Sequence, residues 1–168
     1  GQDMEETAAR IVPNILSLAG VDPSGGAGLL ADIKTISALG GYACGAVTAL
    51  TVQNTRGVSG VRIMSGDFVS AQMESVLSDI RIDAVKIGML GNCEVIEAAA
   101  GILRDHPVKH VVLDTILAST SGTPLLEPEA VGVLIRKLLP LCTVFTPNLP
   151  EAAILLGDET PADEGGME

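Results

Sequence analysis

Aromatic side chains are scarce in this sequence of 168 residues, which contains no Trp, one Tyr and two Phe. The stacking of bases on aromatic rings, which usually holds single-stranded nucleic acid, is therefore hardly available. Basic residues are also few, since 10 Lys and Arg stand against 21 Asp and Glu, and the formal net charge is -11. Because such a chain repels a phosphate backbone, we expect no nucleic-acid partner.

Cysteine is limited to Cys44, Cys93 and Cys142. These three are far apart and odd in number, so they predict neither a disulfide framework nor a CxxC zinc site. No apolar run reaches the roughly 18 residues that a membrane span needs, and no signal peptide is visible. We therefore expect a cytoplasmic protein without a membrane partner.

The hydrophobic content of 47% is sufficient to build one well-packed domain. Acidic residues are concentrated near the two ends of the chain, which is typical of solvated tails. We predict an N-terminal tail at 1–13, one α/β domain at 14–157 and an acidic C-terminal tail at 158–168.

Short apolar runs alternate with segments of helical period along this domain. The predicted strands cover 15–19, 47–50, 84–87, 110–113 and 143–145. The predicted helices cover 29–39, 68–77 with Asp67 as N-cap, 94–103, 129–139 with Pro128 at its start, and 150–155. This alternation predicts a mostly parallel sheet flanked by helices, with the functional site beyond the carboxyl ends of the strands.

A glycine-rich loop, residues 20–28, leaves the first predicted strand and enters a helix. Its glycines permit close approach of a ligand, and the helix start offers unpaired N–H groups to an anionic or polar group. A dinucleotide site is disfavoured because no acidic residue lies between Asp32 and Asp67, and a P-loop is excluded because Leu29 follows Gly28. A tight turn without a ligand remains the alternative, although Asp32, one turn into an apolar helix, requires a partner.

Polar and adaptable side chains follow the other predicted strands. Gln53 has an amide that suits the edge of a heterocycle, or it belongs to an ordinary turn. Met89 is either an adaptable ligand wall or a core residue. Asp114 suits a metal or phosphate-bound water, or it is a turn residue. Asn148 and Glu151 form either a helix capping box or a holder of hydrated Mg²⁺.

Together these segments resemble the hydroxymethylpyrimidine and hydroxymethylpyrimidine-phosphate kinases of thiamine biosynthesis, which belong to the ribokinase-like superfamily. Each motif is weak alone, but their order and spacing are specific. The matching segments are 19–28, 31–35, 48–58, 86–90, 111–115 and 146–152.

The resemblance implies transfer of the γ-phosphoryl group of ATP to the hydroxymethyl group of the pyrimidine, and then to the resulting monophosphate. It implies that Gln53 reads the ring edge and that Asp32 lies near the reacting hydroxyl. The cofactors implied are ATP and Mg²⁺. The residues implied for the pyrimidine pocket are Gly20, Asp32, Gln53 and Met89, and those for Mg²⁺ and the nucleotide phosphates are Asp114, Glu151 and Asn148.

Two departures from the family pattern affect these expectations. The usual Lys-Ser-Gly-Asp run is replaced by Thr-Ser-Gly-Thr at 120–123, and no segment resembling the family's catalytic half follows Glu151. We therefore expect that this chain alone transfers no phosphate, that its catalytic base lies outside it, and that a homodimer is possible. A pyridoxal-type kinase and a non-catalytic pyrimidine-binding or regulatory module are the alternatives.

Overall fold

The computed structural model describes residues 11–114, 126 and 129–146. Within these residues, no helix is long and apolar enough to cross a membrane. The strands are β1 (Asn14–Val21), β2 (Tyr42–Asn54), β3 (Gly57–Ile63), β4 (Ala84–Ile87), β5 (His110–Leu113) and β6 (Val144–Phe145). The α-helices are α1 (Gly28–Ala38), α2 (Gly66–Leu77), α3 (Cys93–Asp105) and the short α4 (Ala130–Val133).

The six strands form one sheet in the order β3-β2-β1-β4-β5-β6. All pairs are parallel except β2 and β3, which form an antiparallel hairpin. The predicted α/β class, with a mostly parallel sheet flanked by helices, is confirmed. The chain runs from β1 to β2 in one direction and from β4 to β6 in the other, so the strand order reverses between β1 and β4. Ligands in open α/β sheets bind at such a reversal, beyond the carboxyl ends of the strands.

Side chains alternate between the two faces of the sheet along each strand. One face, which we call the core face, packs against α2 and α3, and its buried residues include Leu16, Leu18, Val85, Ile87 and Leu113. The opposite face, which we call the site face, carries Ile15, Ser17, Ala84, Lys86 and Val112. Helix α1 packs against β1 and β2 on the site face, where Leu29 fills the space beside Gly45.

Local sequence explains the two long helices on the core face. Ser65 caps α2 by accepting a hydrogen bond from the Phe68 N–H at 3.2 Å, and Asn92 caps α3 by accepting from Val95 at 3.0 Å. Asp67, the predicted cap of α2, is instead a first-turn residue. The Glu94 carboxylate also accepts from the Gly66 N–H at 2.9 Å, which joins the starts of the two helices.

Two predicted elements have different forms in the structure. The strand predicted at 47–50 is the middle of the 13-residue β2, which pairs with a β3 that the pattern did not indicate. The helix predicted at 129–139 is an α-helix only over Ala130–Val133, after which a π-helical turn at Leu134–Leu138 leads into a 3₁₀ turn. Pro140 lacks the N–H that a continuing α-helix would need. The predicted helix at 150–155 lies outside the described residues.

Candidate functional site

The carboxyl ends of β1 and β4 meet at the reversal in strand order. Gly20 lies at the end of β1, and a Cβ built on it would lie 2.9 Å from the Met89 sulfur, so a side chain at this position would require Met89 to move from its place over this strand end. Thr48, which is fully buried, donates a 2.6 Å hydrogen bond to the Met89 carbonyl and fixes its backbone. Met89 is 6% exposed. This burial fits a core residue, so its role as a ligand wall stays a prediction.

The glycine-rich loop already contains an anion of its own. The Asp22 carboxylate, which is 4% exposed, accepts hydrogen bonds from the Ser24 N–H and hydroxyl and from the N–H groups of Gly26 and Ala27, at 2.7 to 3.2 Å. Burial alone would raise the pKa of Asp22, but the hydrogen bonds from Ser24, Ala27 and Gly26 lower it below its usual 3.8. Because Asp22 takes the donors of Gly26 and Ala27, these groups are not available to an anionic ligand.

Gly28 closes this loop against the end of β1. Its φ angle is +61°, and a Cβ at this position would lie 2.3 Å from the Gly20 carbonyl oxygen. A side chain there would therefore push the loop away from the strand end that carries Gly20.

Asp32 lies on α1 and faces the sheet. Its Oδ2 atom accepts a 2.7 Å hydrogen bond from the hydroxyl of Ser17, which is fully buried on β1, and lies 2.8 Å from the Lys86 ammonium on β4. These contacts supply the partners that the sequence required for a carboxylate at this position. Ser17 and Lys86 are neighbours in the parallel register of β1 and β4.

Asp114 follows β5 directly, as predicted, and its N–H donates to the Ile87 carbonyl at 2.9 Å. Its Oδ2 atom lies 3.9 Å from the Lys86 ammonium, and its Oδ1 atom accepts from the Thr146 hydroxyl at 3.3 Å. Lys86 thus lies between the carboxylates of Asp32 and Asp114. Sequence analysis missed this lysine, although a charged residue in the strand Ala-Val-Lys-Ile indicates a partner.

Gln53 belongs to β2 itself and not to a loop after it, which corrects the prediction for this segment. The Thr51 hydroxyl lies 2.8 Å from the Val21 carbonyl oxygen and 3.1 Å from Gln53 Oε1, which ties Gln53 to the end of β1. Gln53 and Arg56 line a hollow of about 440 Å³ in the hairpin formed by β2 and β3. The hydrogen bonds among the described residues do not join Gln53 to Asp32 or Met89. Asn148 and Glu151 lie outside the described residues.

Asp114 is the described residue that the sequence predicted as a metal ligand. Among the described residues, no three His, Cys, Asp or Glu side chains converge on one point. The described residues offer one half-exposed carboxylate for Mg²⁺, which suits contact through water and not a direct protein cage, and the Lys86 ammonium 3.9 Å away competes with the ion for it.

Comparison with known proteins identifies the family. Residues 22–168 match the family model described as phosphomethylpyrimidine kinase. The chain belongs to the phosphomethylpyrimidine kinase family. It is 55% identical over 143 residues to a hydroxymethylpyrimidine/phosphomethylpyrimidine kinase of Escherichia coli (strain K12), a match that covers 85% of this chain and 54% of the relative. The chain thus spans about half the length of the curated relatives that it matches.

Solved structures of this family and of pyridoxal kinases share the fold. The phosphomethylpyrimidine kinase of Clostridium difficile 630 has a TM-score of 0.81 and 43% identity, with 88% of this chain and 64% of that chain covered. The pyridoxal kinase of Staphylococcus aureus in complex with pyridoxal has a TM-score of 0.81 and 33% identity, with coverage of 94% and 58%. These likenesses confirm the ribokinase-like fold. The TM-score is the same for the two structures, whereas the sequence identity is higher for the phosphomethylpyrimidine kinase than for the pyridoxal kinase.

Proposed function

We propose that this chain carries the pyrimidine-binding portion of an ATP-dependent kinase that phosphorylates 4-amino-5-hydroxymethyl-2-methylpyrimidine and its monophosphate for thiamine biosynthesis. The observation that carries the proposal is the meeting of Gly20 with Met89, and of Asp32 and Asp114 with one lysine, at the reversal in strand order. Family membership supplies the reaction class. In phosphoryl transfer the protein mainly positions groups and neutralises charge, which suits this set of residues.

The proposed roles follow from the chemistry of each side chain. Gln53 offers both a donor and an acceptor to the amino and nitrogen edge of the ring. Met89 supplies a polarizable wall once the ring displaces it from Gly20. Asp32 accepts a hydrogen bond from the hydroxymethyl group, since its Oδ1 atom makes no hydrogen bond among the described residues.

The phosphate side of the proposed site is built around Asp114, with Asn148 and Glu151 further along the chain. Asp114 and Glu151 would hold hydrated Mg²⁺ through water, and Asn148 would lie beside the nucleotide phosphates. Mg²⁺, when bound, neutralises the charge of the phosphates. A Staphylococcus aureus pyridoxal kinase of the same fold, 34% identical, was solved in complex with ADP, which supports ATP as the donor. We also propose a cytoplasmic location, and the homodimer expected from the sequence stays a prediction.

Calorimetric titration with hydroxymethylpyrimidine tests the proposal on this chain as it exists. We expect saturable binding that Gln53→Ala weakens at least about tenfold, because the ring edge loses a paired hydrogen-bond donor and acceptor. Ser75→Ala is the control, since Ser75 is an exposed polar residue of α2, away from the hairpin hollow. Absence of binding to the unaltered chain, or equal binding by the Gln53 variant, would contradict the proposal.

Two further arms of the same experiment separate the alternatives. Tighter binding of pyridoxal than of the pyrimidine would favour the pyridoxal-type kinase. Addition of ATP and Mg²⁺ then measures turnover. Pyrimidine binding without product would agree with the expectation that this chain alone transfers no phosphate, and robust product formation would overturn that expectation.

A further inference from the structure

Lys86 is a charged residue in the middle of the sheet, on the strand β4 that borders the reversal in strand order. Its neighbours along the strand, Val85 and Ile87, are fully buried on the core face, whereas the Lys86 side chain is 23% exposed on the site face. A lysine at such a position loses hydration, so its charge requires compensation from nearby carboxylates.

The compensation comes from two sides of the proposed site. The Lys86 ammonium lies 2.8 Å from Asp32 on α1 and 3.9 Å from Asp114 after β5. Without this cation the two carboxylates would face each other as like charges, and incoming phosphates would add further negative charge. Lys86 thus connects the carboxylate expected beside the acceptor hydroxyl with the one expected on the phosphate side.

The contacts of Asp32 use only one of its oxygens. Both the Ser17 hydroxyl and the Lys86 ammonium bind Oδ2, at 2.7 and 2.8 Å. Among the described residues, no hydrogen bond reaches Oδ1. Two donors on one oxygen fix the rotation of the carboxylate and leave the other oxygen as an acceptor.

Gly88 provides the space that the ammonium needs. A Cβ built on Gly88 would lie 3.3 Å from Lys86 Nζ and 3.4 Å from the Ala19 Cβ, so a larger residue would crowd the lysine between β1 and β4. Any side chain at position 88 would therefore contact the ammonium, whose flexible end would shift by a few tenths of an ångström.

We propose that Lys86 is a positioning residue of the kinase site, which fixes the Asp32 carboxylate so that Oδ1 accepts the hydroxyl of the substrate and which neutralises the charge between Asp32 and Asp114. This inference rests on the proposed function for the identity of the substrate. It goes beyond that proposal by assigning a role to a residue that touches neither the substrate nor the metal in the proposed site.

The test combines ligand binding with the position of Asp32. Calorimetry with hydroxymethylpyrimidine should show a loss of affinity of at least about tenfold for Lys86→Met, and a smaller loss for Lys86→Arg, which retains the charge in a bulkier group. Lys137→Met is the matched control. The Lys137 ammonium lies 3.2 Å from the Glu97 carboxylate, and this ion pair is away from the strand ends. A crystal structure of the Lys86→Met variant should show the Asp32 carboxylate rotated away from Ser17.

The other outcomes of this test contradict either the positioning role of Lys86 or the proposed binding of the pyrimidine. Unchanged binding, or an Asp32 carboxylate that keeps its place without Lys86, would overturn the positioning role. If the unaltered chain binds no pyrimidine, the proposed function fails, while the position of Asp32 in the variant still decides the role of Lys86. Should Lys86→Met not fold, Lys86→Gln also removes the charge but keeps a polar side chain, and it should show the same two changes; if it changes neither, the inference fails.

Discussion

The two faces of the sheet are built from alternate residues of the same strands, yet they serve different purposes. The core face is mainly apolar and is covered by α2 and α3. The site face combines apolar residues with Ser17 and Lys86, and helix α1, which packs against it, contributes Asp32. A groove of about 320 Å³ lies there beside Asp32 and Lys86. The core face thus carries most of the buried apolar residues, whereas the polar side chains of the proposed site lie on the other face.

Ser17 and Leu18, adjacent residues of β1, test the difference between the two faces most sharply, and Leu18 gives the largest expected change in stability. Leu18 is fully buried on the core face, so Leu18→Ala should lower the free energy of unfolding by about 2–5 kcal/mol through lost burial and a cavity. Ser17→Ala, on the site face, removes one hydrogen bond and should lower it by about 1 kcal/mol while weakening pyrimidine binding.

Urea unfolding and calorimetry on both variants provide the measurement. The comparison predicts that the Leu18 variant, where it remains folded, keeps its affinity for the pyrimidine. Loss of affinity equal to that of the Ser17 variant, or a stability loss of the same size for both, would show that the two faces are not separable in this way.

A smaller effect is expected at Asp22, which lies at the boundary between fold and site. The pKa of Asp22 in the folded protein is lowered, so its ionised form contributes stability above the usual pKa of 3.8, and this contribution is lost as the pH falls through the folded-state value. Asp22→Asn should therefore destabilise the protein at pH 7, by about 1 kcal/mol because an uncharged amide accepts the hydrogen bonds of the loop more weakly than a carboxylate, and less below pH 3.8.

The exposed Asp79 serves as the control for this titration. The free energies of unfolding of Asp22→Asn and Asp79→Asn, measured in urea at pH 7, 5 and 3, are compared with that of the unaltered chain. If the difference in the free energy of unfolding between the unaltered chain and Asp22→Asn stays constant, or grows as the pH falls, the hydrogen bonds from the loop do not favour the ionised carboxylate.

Much of the fold could be predicted because burial on both faces leaves a clear apolar pattern. Strands β4 and β5 have the bounds that the sequence indicated. The hairpin was missed because Gly57–Ile63 contains two glycines and an arginine and is only partly buried, which gives no regular alternation. Its partner β2 was predicted too short for a similar reason, since Gly45 interrupts its first half.

The site was harder to predict, because convergence depends on strand order and not on spacing along the chain. Asp32 required a partner on physical grounds, but the sequence could not name Ser17 or Lys86, which lie 15 and 54 residues away along the chain. The signal that was overlooked is the charge of Lys86 within an apolar strand. In the glycine-rich loop, Asp22-Pro23-Ser24-Gly25 is a typical turn sequence and could have indicated that the carboxylate binds the loop itself.

Mapping of the pyrimidine site by NMR tests the central claim most directly. Amide shifts of the isotope-labelled full chain, recorded during titration with hydroxymethylpyrimidine, should change most at Gly20, Gly88 and Met89, where β1 and β4 end, with smaller changes at Gln53. Changes confined to the core-face helix α3, or to the hairpin without the ends of β1 and β4, would contradict the assignment of the site to the reversal in strand order.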